Sequence, residues 1–313
     1  MGLIMGHQHG GHSHGIPGTA TGRHRKKLVI VVAITAAVVV IQVIGAVLSG
    51  SLALLADAGH MLSDAAGVSL ALLASWFATR PATAKRTFGM QRAEVLAALA
   101  NGVALMVIAV VVFIEAVKRF GDVGEIHTGL MLGAALAGGA ANLVCLLILR
   151  SGQKESLNLR GAYLEVLGDL LGSAAVVVAA IVIATTGYRN ADPLASILIA
   201  LMIIPRAWSL LREVIDVLLE ATPKDIDLDK LRTHIMDVDG VVDAHDIHVW
   251  TITSGVPVFS AHVVVEDATL TAEGMDVVLD RLIHCLSTHF DTEHCTFQLE
   301  PLSHARHEGE QHA

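Results

Sequence analysis

The sequence predicts an α-helical membrane protein of six transmembrane helices followed by a small α+β domain. Three observations predict it. Apolar residues make up 53% of the 313 residues and charged residues only 16%, where a soluble domain usually carries about 25%. The apolar residues are gathered into long blocks between short charged segments, with a mean hydropathy of +0.61. The last third of the chain loses that blocked pattern and alternates over short stretches, as strands and amphipathic helices do.

Six blocks can each supply the roughly 20 apolar residues needed to cross a bilayer. They are Leu28–Leu48, Leu52–Ala78, Ala93–Val117, Thr128–Leu149, Ala162–Thr186 and Pro193–Leu211. No signal-peptide cleavage pattern precedes the first, so it is read as a retained helix. Lys and Arg gather in the N-terminal arm (Arg23, Arg25, Lys26, Lys27), the second connection (Arg80, Lys85, Arg86, Arg92) and the fourth (Arg150, Lys154, Arg160). The opposite connections hold only Lys118, Arg119 and Arg189. That bias predicts a multi-pass protein of the cell membrane with both termini in the cytoplasm.

Beyond Ala221 the periodicity predicts a helix over Asp225–Val238 and strands over Val241–Thr253 and Val258–Glu266. A helix over Thr271–Phe290, N-capped by Thr271, and a strand over Cys295–Leu299 follow. The order αββαβ makes an α+β layer domain, small enough that dimerisation or bound metal would help to stabilise it. The expected organisation is a His-rich arm at 1–27, a transmembrane domain at 28–211, a linker at 212–222, a cytoplasmic metal-binding domain at 223–301 and a disordered tail at 302–313.

The net charge of −9 gives no reason to expect a nucleic-acid partner. The cysteines, Cys145, Cys285 and Cys295, have no paired spacing and argue against a disulfide framework.

The informative residues are ionisable groups inside apolar blocks. His60 and Asp64 in the second block are four apart, as are Glu165 and Asp169 in the fifth, so each pair shares a helix face. An acidic residue at mid-membrane costs roughly 2.5–3.5 kcal/mol on insertion scales and persists where it is paired, hydrated or functional. Together the two faces offer one imidazole and three carboxylates, enough to close a four-coordinate shell around a divalent ion such as Zn2+. Asp57 lies one turn away without a matched partner and is read as lining the cavity rather than as a ligand. Gln42, Asn101 and Asn142 are read as interhelical hydrogen-bond groups, and Gly67 and Gly172 as sites of close helix packing.

These segments, ADAGHMLSD, RTFGMQRAEVLAALANG and GAYLEVLGDLLGS, resemble the cation diffusion facilitators. So do DAHDIHVWTITSG, FSAHVVVED and HCTFQLE further on. The resemblance runs through nearly the whole chain after the arm, with the motifs in order. It implies a homodimeric metal–proton antiporter rather than an enzyme, with protons as counter-ion, a transport site on the second and fifth helices and a cytoplasmic metallochaperone-like domain. The matching positions are His60, Asp64, Glu165 and Asp169. One departure matters: bacterial zinc, cadmium and cobalt exporters of the family usually have histidine where this chain has Glu165. An added carboxylate hardens the site and raises the standing of Mn2+, Co2+ or Fe2+ beside Zn2+ and Cd2+.

In the soluble part the resemblance matches His245 and His262 to regulatory metal positions, with His294 and Glu300 as partners. His248, three residues from His245, faces the other side of an ideal strand unless a bulge intervenes. In the N-terminal arm His7, His9, His12 and His14 stand among glycines and serines, as weak metal capture requires. Two other readings are a metal-sensing membrane protein without flux and an intramembrane metalloenzyme. No HExxH motif supports the second.

Overall fold

The computed structural model describes residues 25–150, 157–253, 255–289 and 294–305. Residues 1–24, with His7, His9, His12, His14 and His24, and also His307 and His312 of the tail, lie outside them. Six long helices come first: α1 (Arg25–Ser49), α2 (Leu52–Ala78), α3 (Ala93–Arg119), α4 (Thr128–Arg150), α5 (Leu157–Thr186) and α6 (Ala191–Leu218). Each contains a stretch long and apolar enough to cross a membrane. Their outward faces are apolar too, with Val47 72% and Leu72 69% exposed, which suits hydrocarbon as the solvent. Helix α6 continues past Leu211, where the apolar block ends, to Leu218.

The chain divides into two compact units. The first takes its described residues from Met1–Ala65 and Val107–Ile203, the second from Ala66–Met106 and Ile204–Ala313.

In the first unit α4 packs against α1 and α5. Its buried residues, Met131, Ala134, Ala135, Gly138, Asn142, Cys145 and Leu149, recur at three and four and so form one stripe. Small residues let backbones approach: a Cβ at Gly45 would lie 2.5 Å from the Ala134 Cβ. The start of α2 is fixed twice over. Ser51 Oγ accepts from the Leu54 amide at 3.1 Å, as an N-cap does. The fully buried Asp192 of α6 accepts from the Ser51 hydroxyl, from the Leu52 amide at 2.8 Å and from the Ala53 amide at 3.2 Å. First-turn amides have no partner within their own helix, and here a carboxylate from another helix satisfies them.

The second unit holds the ends of α2, α3 and α6 together with the α+β layer. That layer comprises α7 (Leu228–Met236), β1 (Val241–Thr251), β2 (Pro257–Val265), α8 (Asp267–Glu273), α9 (Met275–His289), β3 (His294–Pro301) and a final turn α10 (Leu302–Ala305). The sheet order is β1-β2-β3, antiparallel then parallel. Phe259, Ala261, Val263 and Val265 of β2 alternate onto one face and pack with Leu231 and Ile235 of α7 and Val278, Leu282 and Leu286 of α9. Asp227 caps α7 by accepting from the amides of Asp229 and Lys230.

The expected αββαβ order is present, with two corrections. The helix expected over Thr271–Phe290 is divided at Gly274, whose φ of 89° an L side chain rarely adopts. Thr271 therefore lies inside α8, its hydroxyl donating to the Asp267 carbonyl, and caps nothing. Leu302–Ala305, expected to begin a disordered tail, forms a helical turn in which Ser303 donates from its amide and hydroxyl to Asp267.

Replacing Asp192 by Ala strips the start of α2 of its acceptor. Each buried group left unpaired costs about 1–3 kcal/mol, so Asp192→Ala is expected to lower the thermal unfolding midpoint of the detergent-solubilised protein. Asp192→Asn, which keeps one acceptor oxygen, is expected to lower it less.

Candidate metal centre

The four-residue spacing on α2 turns His60 and Asp64 to the same side, and α5 brings Asp169 to them. His60 Nε2 lies 3.5 Å from Asp64 Oδ2 and 3.7 Å from Asp169 Oδ1. One donor atom from each residue falls within 4.8 Å of the others. The three side chains are at most 12% exposed. Zinc–ligand bonds of 2.0–2.1 Å in a tetrahedron put neighbouring donors about 3.3 Å apart. The observed spacings therefore need to close only slightly around an ion. Glu165, partly buried one turn before Asp169, stands outside this three-residue group.

Beside the group lies a second polar arrangement. Asp57, 1% exposed, accepts on Oδ2 from Gln42 Nε2 of α1 at 2.8 Å and from Ser173 Oγ of α5 at 2.9 Å. Two glycines make room for it. A Cβ at Gly138 would lie 2.3 Å from Gln42 Nε2, and one at Gly172 would lie 2.5 Å from Asp57 Oδ1. Gly67 serves a like purpose in the second unit, where a Cβ would meet the Asn101 amide nitrogen at 2.4 Å. Gln42 is thus an interhelical hydrogen-bond group, as expected. Asn142 is not, since its amide is buried and makes no hydrogen bond among the described residues.

A second cluster forms in the soluble layer. Residue pairing sets His245 of β1 directly opposite His262 of β2, with ring centroids 5.3 Å apart. Glu300 of β3 pairs with Val264, two residues along β2 and on the same face as His262. Its carboxylate, 2% exposed, reaches His262 Nδ1 at 2.8 Å and His245 Nε2 at 3.8 Å. This is the sheet face turned away from α7 and α9. Two imidazoles and a carboxylate within 4.8 Å suit zinc or a similar borderline ion.

His294 is not brought to this cluster. The parallel register sets it beside Val258 while Glu300 sits beside Val264, six strand residues and about 20 Å away. Its ring instead meets Phe88 edge-on at 5.8 Å. Between His245 and His248 the strand carries an irregularity: two residues on β1, Asp246 and Ile247, answer one on β2, Ala261, and Asp246 has φ 47°. The bulge returns His248 to the His245 face, exposed and in register with Ser260, outside the cluster. The only sequence sign of it is an aspartate, one of the few residue types that visit the left-handed region readily. Burial, with the negative charge of Asp237, raises the Cys285 thiol above its ordinary range, so it is poorly suited to act as a thiolate ligand.

Six membrane-length helices carrying an internal His–Asp–Asp group, followed by a layer domain with its own His–His–Glu group, define a polytopic membrane protein equipped for divalent metal. The comparisons agree. Residues 28–219 match the cation efflux transmembrane domain and residues 223–302 the cation efflux protein cytoplasmic domain. The zinc transporter ZitB of Escherichia coli is 40% identical over 291 residues, covering 92% of this chain and 91% of that one. The metal cation efflux system protein CzcD of Cupriavidus metallidurans is 41% identical over 290 residues, covering 93% and 90%. The cadmium, cobalt and zinc/H(+)-K(+) antiporter of Bacillus subtilis is 38% identical over 296 residues, covering 94% and 93%. The solved metal-bound C-terminal domain of CzcD is 35% identical and covers 24% of this chain and 99% of its own, with a TM-score of 0.22. The chain belongs to the cation efflux family.

Gly172→Ala is expected to push a methyl group against Asp57 and part α2 from α5. Overpacking of this kind costs about 1–3 kcal/mol, read as a lower thermal midpoint, while Gly168→Ala, where a Cβ would meet nothing within 4 Å, serves as the control.

Proposed function

We propose that the protein exports divalent transition metal, Zn2+ first, from the cytoplasm in exchange for protons, through His60, Asp64 and Asp169 with Glu165 beside them. The observation that carries this reading is the approach of an imidazole and two carboxylates, from two helices of a cation efflux chain, to within 4.8 Å inside an apolar unit. Such groups bind a divalent cation only when deprotonated, so metal and protons compete for the same atoms. Cytoplasmic metal displaces protons and binds. The helices rearrange to open the site outward, and external protons then displace the ion. The relatives named for zinc, and for cadmium, cobalt and zinc exchange against protons and potassium, support this substrate class.

The protein works as a homodimer in the cell membrane, with both termini in the cytoplasm. The Lys and Arg bias of its connections supports the orientation. His245, His262 and Glu300 bind metal on the cytoplasmic side and report its level to the transporter. His262 and Glu300 are already in contact at 2.8 Å, and two imidazoles with a carboxylate fit zinc. The task of metal and protein is binding and passage, with no covalent chemistry.

In proteoliposomes with an imposed pH gradient, Asp64→Ala and Asp169→Ala are each expected to abolish Zn2+–proton exchange while leaving membrane insertion intact. Near-normal exchange in both variants would overturn the site. A competition series of Zn2+, Cd2+, Co2+, Mn2+ and Fe2+, run beside Glu165→His, tests selectivity, and the added imidazole is expected to favour zinc over manganese. For the soluble cluster, His262→Ala in the full chain is expected to weaken one class of Zn2+ sites by at least about 10-fold. Calorimetric titration of a chain that also carries Asp64→Ala isolates that class, and unchanged affinity there would remove His262 from it.

A further inference from the structure

Asp57 takes no part in the metal group, yet its carboxylate is 1% exposed and is held by neutral partners. Its partners in the structure are the Gln42 amide and the Ser173 hydroxyl, both on Oδ2. The other oxygen, Oδ1, occupies the room left by the missing side chain of Gly172.

No Lys or Arg lies within ten residues of Gln42, Asp57 or Ser173 along their own helices. Its own helix carries His60 and Asp64, and α5 carries Glu165 and Asp169, with Arg160 in its first turn. Helix α1 has no ionisable side chain from Ile30 to Ser49, and α4 has only Cys145 before its terminal Arg150. On α3, Arg119 is paired with Glu115. On α6, Asp192 is engaged at the start of α2.

A carboxyl at membrane depth with neutral partners and no fixed countercharge favours its protonated form. A divalent ion bound at His60, one helical turn away, reverses that preference by its field alone. Residues three apart on a helix have Cβ atoms about 5–6 Å apart.

We propose that Asp57 is a second counter-ion site. Its buried carboxyl carries a proton while the metal site is empty and gives it up when a divalent cation binds one turn away. The step balances simply. The carboxyl O–H bond breaks, the carboxylate keeps the electron pair, and the proton leaves to water on the side from which the metal came. After the metal departs outward, an external proton restores the O–H bond. Asp57 thus adds one exchanged proton without touching the ion. This inference rests on the proton-coupled export proposed above.

The test measures protons released per Zn2+ bound by the purified full-length protein, by calorimetry in buffers of different ionisation enthalpy, beside Zn2+ flux in proteoliposomes. D57N, which matches the shape and cannot ionise, is expected to release about one proton fewer per zinc than the wild type. An unchanged count overturns the proposal and leaves the Gln42–Asp57–Ser173 group as a helix clamp only. Should D57N fail to fold, S173A decides. Removing one donor to the carboxylate raises its proton affinity, so zinc-linked proton release shifts upward by about one pH unit. A profile superimposable on the wild type's overturns the proposal. Absence of Zn2+ flux in the wild type instead overturns the export reading, which keeps the two failures apart.

Discussion

Hydrocarbon offers a polar group no partner, and that constraint organises this protein. Every backbone amide and every ionisable side chain at membrane depth must be answered by another part of the chain. The start of α2 shows the answer in its simplest form. Its first-turn amides point at Asp192, a carboxylate contributed by α6 from far along the sequence. The helix that carries His60 and Asp64 is therefore held at one end by an interaction that is strong where water is absent. Between that end and the metal-type group, Gln42 and Ser173 close on Asp57 from α1 and α5. These polar contacts do between helices what burial of apolar surface does in a soluble core, where lipid tails would compete equally well for apolar faces.

Glycine is the counterpart of those contacts. At Gly138 and Gly172 the missing Cβ is the space occupied by a polar side chain from a neighbouring helix. Reading such glycines as points where bare backbones touch catches the close approach but not its purpose. In the soluble layer the constraint differs, and a conventional two-layer core forms: β2 sends Phe259, Ala261, Val263 and Val265 toward the helices. The opposite face is then free to display His262 and, through the pairing of strands, His245 and Glu300.

What could be read in advance follows from periods. A helical repeat of 3.6 fixes which residues share a face, so His60 with Asp64 was legible, as were the six spans. It does not fix how far along its axis one helix sits against another, and that decides that Asp169 meets His60 while Glu165, one turn earlier, stands outside the group. A strand repeat of two likewise fixes faces but not register. The resemblance to the family, not the strand period, nominates His245, His262, His294 and Glu300 together, and neither reveals the parallel register that carries His294 to the far end of β3. The bulge at Asp246 breaks the period itself and so reverses the side expected for His248. The Asp192 cap and the Asp57–Ser173 contact join residues more than a hundred apart in the chain, for which local pattern holds no signal.

Charge balance gives the proposed cycle its direction. A divalent ion held by Asp64, Asp169 and a neutral His60 makes an assembly with no net charge, the form least penalised in a medium of low dielectric. Emptied of metal, the same carboxylates approach neutrality only by taking up protons. Exchange of metal for protons is therefore what keeps the unit near zero charge in both loaded and empty states. Glu165 and Asp57 lie outside the three-residue group, and each would leave an excess negative charge if ionised alone. A proton held by either is the natural remedy, and the nearer that proton lies to the ion, the more strongly the ion expels it. Glu165→His would remove one carboxylate from this balance. The substitution thus bears on proton count as directly as on the choice of metal.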